Sequence, residues 1–396
     1  MNNPKKKRVL MFGFSGSNIE PWLQFFKGRR NEIELTFVCR EFEVHGIRRS
    51  MYPWIRTVQL YPYGRYPAFI RRLFSWANIL RLVLKSRMYD LFILQGLYDP
   101  FLSLLLFKLV RSRRRFVQVW NISSHRRAHQ EPLLRSSRQI MKILERSDGI
   151  LFSWEPNRLD FVDRFPQFEY KTKSMVWGLP RRYLDLSHRP ESERVMQLLE
   201  PLTDDDILIF WPRSIQRNNR HDVLLKALGI LRTRTLPETW KRLKVILLGG
   251  TGSGELVCNV LNQAKELDMP GMQILTGTFI EKDYLMALYD RADIFVNLAD
   301  ADQISLGILE AAGRMTALLL SDIPSYRYLA EYGIKVYYTE NKPESVAKAL
   351  EELIKRLGSV VLNEEFQKNR NAVVNHFDLE QAFTAIIDYC LEERHV

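Results

Sequence analysis

The feature that most narrows the fold is an alternation that runs the length of the chain and starts over once. Short apolar runs alternate with segments of helical period, the signature of βα units. In the first half the runs predict strands at Val9–Phe14, Glu34–Cys39, Thr57–Tyr61, Asp90–Gln95, Arg115–Trp120, Gly149–Trp154 and Ser174–Gly178, with helices over Ile19–Lys27, Tyr66–Arg87 and Pro100–Val110. In the second half they predict strands at Ile207–Trp211, Lys244–Leu248, Gln273–Thr276, Ile294–Asn297, Ala317–Ser321 and Lys335–Tyr338. Right-handed crossovers of this kind build parallel sheets with helices on both faces. The expected fold is therefore α/β, with two doubly wound Rossmann-like domains facing across a cleft. Ligands of such sheets bind beyond the carboxyl ends of the strands. Residues 1–180 and 207–376 are the two domains, the polar stretch 181–206 connects them, and 377–396 adds a terminal helix.

Other classes fall away on composition. The three cysteines, Cys39, Cys258 and Cys390, lie far apart, which argues against a disulfide framework or a zinc ribbon. No apolar stretch is long enough to span a bilayer, and the opening MNNPKKKRV leads into a strand-like segment without the apolar core of a secretory signal. Charge is split unevenly. Residues 1–180 hold 32 Lys and Arg against 14 Asp and Glu, whereas the remaining 216 residues hold 26 against 32. A basic half points to an anionic partner: nucleic acid, an acidic bilayer or a phosphorylated substrate. No helix-turn-helix, RNA-recognition or OB signature is present, so nucleic acid is not expected as a partner.

Four loops are candidates to carry chemistry. Gly249-Gly-Thr-Gly-Ser-Gly254 follows a strand and opens a helix, where backbone N–H groups and the helix dipole favour a phosphate, although a plain βα turn would read the same. A second glycine loop, Gly13-Phe-Ser-Gly-Ser-Asn18, follows the first strand. After Ile207–Trp211 comes Pro212-Arg-Ser-Ile-Gln-Arg-Asn-Asn-Arg220, whose guanidinium groups Arg213, Arg217 and Arg220 suit a diphosphate. The most specific pattern is Asp300-Ala-Asp-Gln-Ile-Ser-Leu-Gly-Ile-Leu-Glu310-Ala-Ala-Gly313, in which Asp302 sits in a loop, Ser305, Leu306 and Gly307 open a helix, and Glu310 lies a turn inside it. The Asp-x-Asp pairs at Asp300 and Asp204 resemble the cation-binding element of GT-A glycosyltransferases. That fold has a single sheet domain, so no metal is expected. His125 and His129, four apart, lack a third ligand at motif spacing for zinc.

These residues make the second half resemble the nucleotide-binding domain of GT-B glycosyltransferases, in particular the large retaining family numbered four. The family's carboxylate, seven residues, carboxylate element appears as Asp302 and Glu310-Ala-Ala-Gly, its arginine as Arg213, its glycine turn as Gly249–Gly252, and its base-holding turn as Gly277-Thr-Phe-Ile280. Leu151-Phe-Ser-Trp-Glu, Val176-Trp-Gly-Leu-Pro and the helix after Phe377, which in the family crosses back to the N-terminal domain, extend the resemblance more loosely over the rest. The departures are Asp302 for glutamate, Pro212 for glycine, Asn218 for lysine, and Trp120-Asn121 for the family's histidine.

The resemblance implies a metal-independent, retaining hexosyl transfer from a UDP- or GDP-linked sugar to a glycan or lipid-linked glycan. It assigns Arg213, Arg217, Asp302 and Glu310 to catalysis. Arg220, Gly249, Gly250, Thr251, Phe279, Ile280, Ser305, Leu306 and Gly307 fall to the donor, and Gly13, Ser15, Gly16, Asn121 and His125 to the acceptor. It further implies cell-surface polysaccharide synthesis at the inner face of the cell membrane. Arg65–Arg87 fits that setting, since a wide apolar face with a basic stripe suits an anionic bilayer surface, although a helix packed on the sheet with that face as core would read the same. Two other readings share the fold: a sugar-nucleotide epimerase and a non-catalytic homologue that binds a nucleotide sugar or a partner.

Overall fold

A computed structural model of the chain describes residues 6–13, 20–39, 52–60, 67–85, 88–97, 100–119, 137–188, 192–250, 254–277 and 280–392. The chain divides into two compact units, one of Met1–Trp177 with Leu379–Val396, the other of Gly178–Asp378.

The first unit is built on β1 (Lys7–Gly13), β2 (Ile33–Cys39), β3 (Arg56–Gln59), β4 (Tyr89–Gln95), β5 (Ser112–Val119), β6 (Gly149–Phe152) and β7 (Thr172–Ser174). Every pairing is parallel and the order is β3-β2-β1-β4-β5-β6-β7. Strand side chains alternate between faces. Val9 and Met11 therefore enter one apolar cluster with Trp22, Phe37 and Phe383, while Leu10 and Phe12 enter another with Leu94, Phe107 and Ile143. Burial on both faces is why these strands read as unbroken apolar runs. Strand β7 precedes the expected Ser174–Gly178. The apolar signal there came from Trp177, whose ring packs edge-on against Trp22 and Phe383 and makes no ladder.

The second unit holds β8 (Ile207–Trp211), β9 (Leu243–Gly250), β10 (Met272–Thr276), β11 (Ile294–Asn297), β12 (Ala317–Ser321) and β13 (Tyr337–Thr339), all parallel in the order β10-β9-β8-β11-β12-β13. The order reverses between β8 and β11, the switch point at which open parallel sheets bind ligands. Helices His221–Arg234 and Pro343–Arg356 pack together over one face, where Leu224, Leu228, Val346 and Leu350 are fully buried. The stretch 181–206 folds onto this unit. It forms helices Arg181–Leu184 and Glu193–Leu199, buries Tyr183, Val195 and Leu198, and is held by Arg314, whose Nε donates to the Tyr183 carbonyl at 2.8 Å.

Among the described residues no helix is long and apolar enough to cross a membrane. The helix expected over Arg65–Arg87 runs Ala68–Lys85, with Ile79 and Leu82 buried and Leu73, Trp76, Leu80 and Leu84 exposed.

Candidate active site

Two loops meet beyond the carboxyl ends of β8 and β11, beside the end of β9. The loop after β8 sends Arg213 across to the loop after β11: Nη2 lies 3.0 Å from Asp302 Oδ2, and Nη1 donates to Ser305 Oγ at 3.3 Å. Asp302 Oδ2 also accepts from the Tyr326 hydroxyl at 2.8 Å, while Oδ1 accepts from the Gln303 N–H at 2.9 Å. Burial first, then the charge of Asp302, pushes the Tyr326 phenol well above its ordinary range, so it stays a donor. The guanidinium fork is thus fixed at the switch point by a carboxylate that is itself held from three sides.

Beneath this pair sits His221. Its ring stacks on Trp211, centroids 4.3 Å apart and 9° from parallel, and its Nε2 lies 3.2 Å from the Arg213 carbonyl. A carbonyl can only accept, so Nε2 carries the proton. Burial pulls the imidazole down to about 4, keeping it neutral.

The remaining arginines differ in what they are bound to. Arg220 occupies the left-handed region at φ 53°, and its guanidinium reaches Asp222 at 3.2 Å and Asp300 at 3.3 Å. Arg217 is exposed and makes no ion pair among the described residues. Asn218 ties the two loops: its Nδ2 donates to the Ala301 carbonyl at 2.7 Å, and its own carbonyl accepts from the Asp300 N–H at 2.9 Å.

The glycine turn has a packing reason. A Cβ on Gly249 would fall 2.7 Å from Ile215 Cδ1 and 3.1 Å from Thr276 Cγ2, and Gly250 takes φ 55°. The loop after β8 is thereby drawn against β9, with the Ile215 N–H donating to the Gly249 carbonyl at 2.7 Å.

Helix Leu306–Gly313 begins at Ser305, whose hydroxyl accepts from Arg213 and makes no cap bond. The N–H groups at this helix start therefore lack a side-chain partner from their cap, the condition under which a helix end takes an anion. One turn on, Glu310 is only 3 % exposed. Burial first, then the charge of Glu310, pushes the fully buried Tyr289 phenol well above its ordinary range, and Lys282 Nζ lies 3.6 Å from Oε1. Gly307 leaves room for that phenol, since a Cβ there would sit 3.0 Å from it.

The structure brings Arg213, Asp302 and Ser305 into contact, places Leu306, Gly307 and Glu310 on the helix they open, and carries Arg217 and Arg220 on the facing loop. Ile280 is half-buried two residues before helix Lys282–Arg291, and Gly13 ends β1 in the first unit. Ser15, Gly16, Asn121, His125, Thr251 and Phe279 lie outside the described residues. Among the described residues no three carboxylate, histidine or cysteine side chains are grouped to hold a metal. Sequence reasoning missed Tyr326, Tyr289, Lys282 and His221. Only His221 carried a local signal, its place directly after the arginine loop.

Residues 198–370 match the family model described as glycosyl transferases group 1. The chain has the GT-B fold and resembles the group 1 glycosyl transferases. No curated protein sequence matches it. Among solved structures, a glycosyltransferase from Rickettsia africae ESF-5 superposes with TM-score 0.74 at 15 % identity, covering 98 % of this chain and 100 % of that one. Anabaena HepE in complex with UDP and glucose gives 0.73 at 14 % identity over 97 % and 99 %. Sucrose-phosphate synthase from Thermosynechococcus elongatus gives 0.74 at 14 % over 97 % and 98 %. At such identities the likeness is one of fold. The group 1 match spans the two loops and the end of β9 described above.

Proposed function

We propose that the protein is a retaining glycosyltransferase of hexosyl type. It moves a sugar from a UDP- or GDP-linked donor to a glycan or lipid-linked glycan in cell-surface polysaccharide synthesis, without a metal. The observation that carries this reading is the guanidinium of Arg213, fixed by Asp302 and Ser305 beside an uncapped helix start at the β8/β11 switch point.

As the donor breaks down, the anomeric carbon loses the nucleoside diphosphate and negative charge grows on the leaving phosphate. Arg213, Arg217 and the N–H groups of Leu306 and Gly307 meet that charge, and each preorganised donor of this kind is worth about 3–4 kcal/mol. Glu310 takes the ribose hydroxyls, and Asp302 orients the donor sugar while fixing Arg213. No protein nucleophile is needed, because the acceptor hydroxyl attacks on the leaving-group face. The UDP bound in the HepE structure supports a nucleotide as ligand. The exposed apolar residues of helix Ala68–Lys85, Leu84 at 75 % among them, support a peripheral position on an anionic inner membrane face.

A second reading has one observation in its favour. Asn218 carries no charge, and Arg220 is paired with Asp222 and Asp300, which suits a homologue that binds a nucleotide sugar without turning it over. Incubation with a panel of UDP- and GDP-sugars and lipid-linked acceptors, following diphosphate release and thermal shift together, decides between them. Release supports transfer, a shift without release supports the binding homologue, and neither signal with any donor refutes both. Failure to sediment with anionic vesicles would remove the membrane clause alone.

A further inference from the structure

Arg220 occupies a turn that suits glycine. It precedes helix His221–Arg234 at φ 53° and ψ 41°, a left-handed conformation that glycine adopts freely and a long L side chain does not. What offsets the strain is what the side chain reaches. Nε and Nη2 donate to the two carboxylate oxygens of Asp222 at 3.2 and 3.4 Å, and Nη1 donates to Asp300 Oδ1 at 3.3 Å. Both edges of the guanidinium fork are thus spent, one positive charge between two carboxylates.

Asp300 is a junction. Its Oδ1 also accepts from Asn341 Nδ2 at 3.0 Å, an amide that donates in addition to the Leu298 carbonyl at 2.9 Å. Its N–H donates to the Asn218 carbonyl. The start of the loop after β11 is therefore gripped by the loop after β8, by the first residues of helix His221–Arg234 and by the segment after β13. Two residues further on, Asp302 holds Arg213.

We infer that Arg220 is a positioning residue for the donor diphosphate and not a ligand of it: by bridging Asp222 to Asp300 it sets the loop after β11, so that Asp302 aims Arg213. The inference rests on the nucleotide-sugar reading.

The test is isothermal titration of the full chain with UDP and GDP, for wild type, Arg220→Gly, Asp300→Ala and the double variant. Glycine accepts the left-handed turn, so Arg220→Gly removes the bridge without adding strain. Arg220→Asn, which also tolerates that turn, takes its place should the glycine variant not fold. Asp300→Ala removes a negative charge beside an anion site, which by charge alone tightens binding, so a loss there reports misplacement. Each single variant should lose about tenfold in affinity for whichever nucleoside diphosphate the wild type binds, and the double variant no more than about twofold beyond either. A residue serving only the fold would lower the stoichiometry or the melting temperature and leave the dissociation constant alone. Unchanged affinity in Arg220→Gly overturns the inference, as do losses that multiply in the double variant. So does equal or tighter binding in Asp300→Ala, the sign of a guanidinium released to bind phosphate. A wild type that binds neither UDP nor GDP overturns the underlying reading as well.

Discussion

Acidification loads a proton onto an imidazole that the folded protein keeps neutral. His221 is 2 % exposed, stacked on Trp211, and pulled down to about 4 by burial. In the unfolded chain it takes up its proton near the ordinary value of about 6.5. Because the folded value is the lower one, the unfolded state binds the proton first. The stabilising contribution is whole above about pH 6.5 and drains away as pH falls toward about 4. Integrating the difference gives a loss of about 2 kcal/mol between about pH 7.5 and pH 5, and about 3 kcal/mol by about pH 4. His221→Phe keeps an aromatic face on Trp211 but cannot titrate, and it gives up the bond to the Arg213 carbonyl at every pH alike. Guanidinium unfolding of both proteins across this range isolates the histidine, since all other titrating groups are shared. The wild-type advantage should shrink by about 2 kcal/mol from about pH 7.5 to pH 5. Parallel curves for the two proteins would refute the assignment of a buried, neutral imidazole beneath Arg213.

Three further outcomes are expected. Arg213→Gln should lower turnover about 100- to 1,000-fold in a diphosphate-release assay, and a loss under about tenfold would take Arg213 out of charge neutralisation. Tyr326→Phe removes one of three donors to Asp302 and should cut kcat about five- to tenfold with KM little changed; an unchanged kcat would deny the phenol a positioning role. Phe383→Ala takes away a ring stacked on Trp22 at 3.9 Å and 6°, and should destabilise the first unit by about 3–5 kcal/mol in calorimetry. A transition lost from the second unit instead would contradict the packing described.

The strands were legible because both sheet faces are covered, so each ladder segment prints itself as an apolar run; Ile207–Trp211 and Ile294–Asn297 are found where the runs place them. Periodicity gave the helix near Ala68–Lys85 but not the side it buries. Leucines and aromatics ring most of its circumference, and Ile79 and Leu82 turn inward while Leu80 and Leu84 do not. The same ambiguity hid the folding of 181–206, where a few apolar residues, Tyr183, Val195 and Leu198, suffice to dock a polar stretch. At the site, spacing along one segment revealed Arg213, Asp302 and Glu310. It could not reveal Tyr326, Tyr289 or Lys282, because their partners lie 24, 21 and 28 positions away and only the sheet order brings them together.

The first unit takes Leu379–Leu391 from beyond the second unit, and that segment supplies Phe383, Ile386, Ile387 and Tyr389 to one of its two apolar clusters. Synthesis proceeds from the amino end, so the strands of the first unit stand on the ribosome with Trp22 and Trp177 lacking their cover until the whole second unit and Leu379–Leu391 have followed. Gly178–Asp378, contiguous in sequence, has no such wait. The order of maturation is thus inverted relative to the order of translation, and a nascent chain stalled short of Leu379 would offer a chaperone an aromatic surface belonging to its first unit.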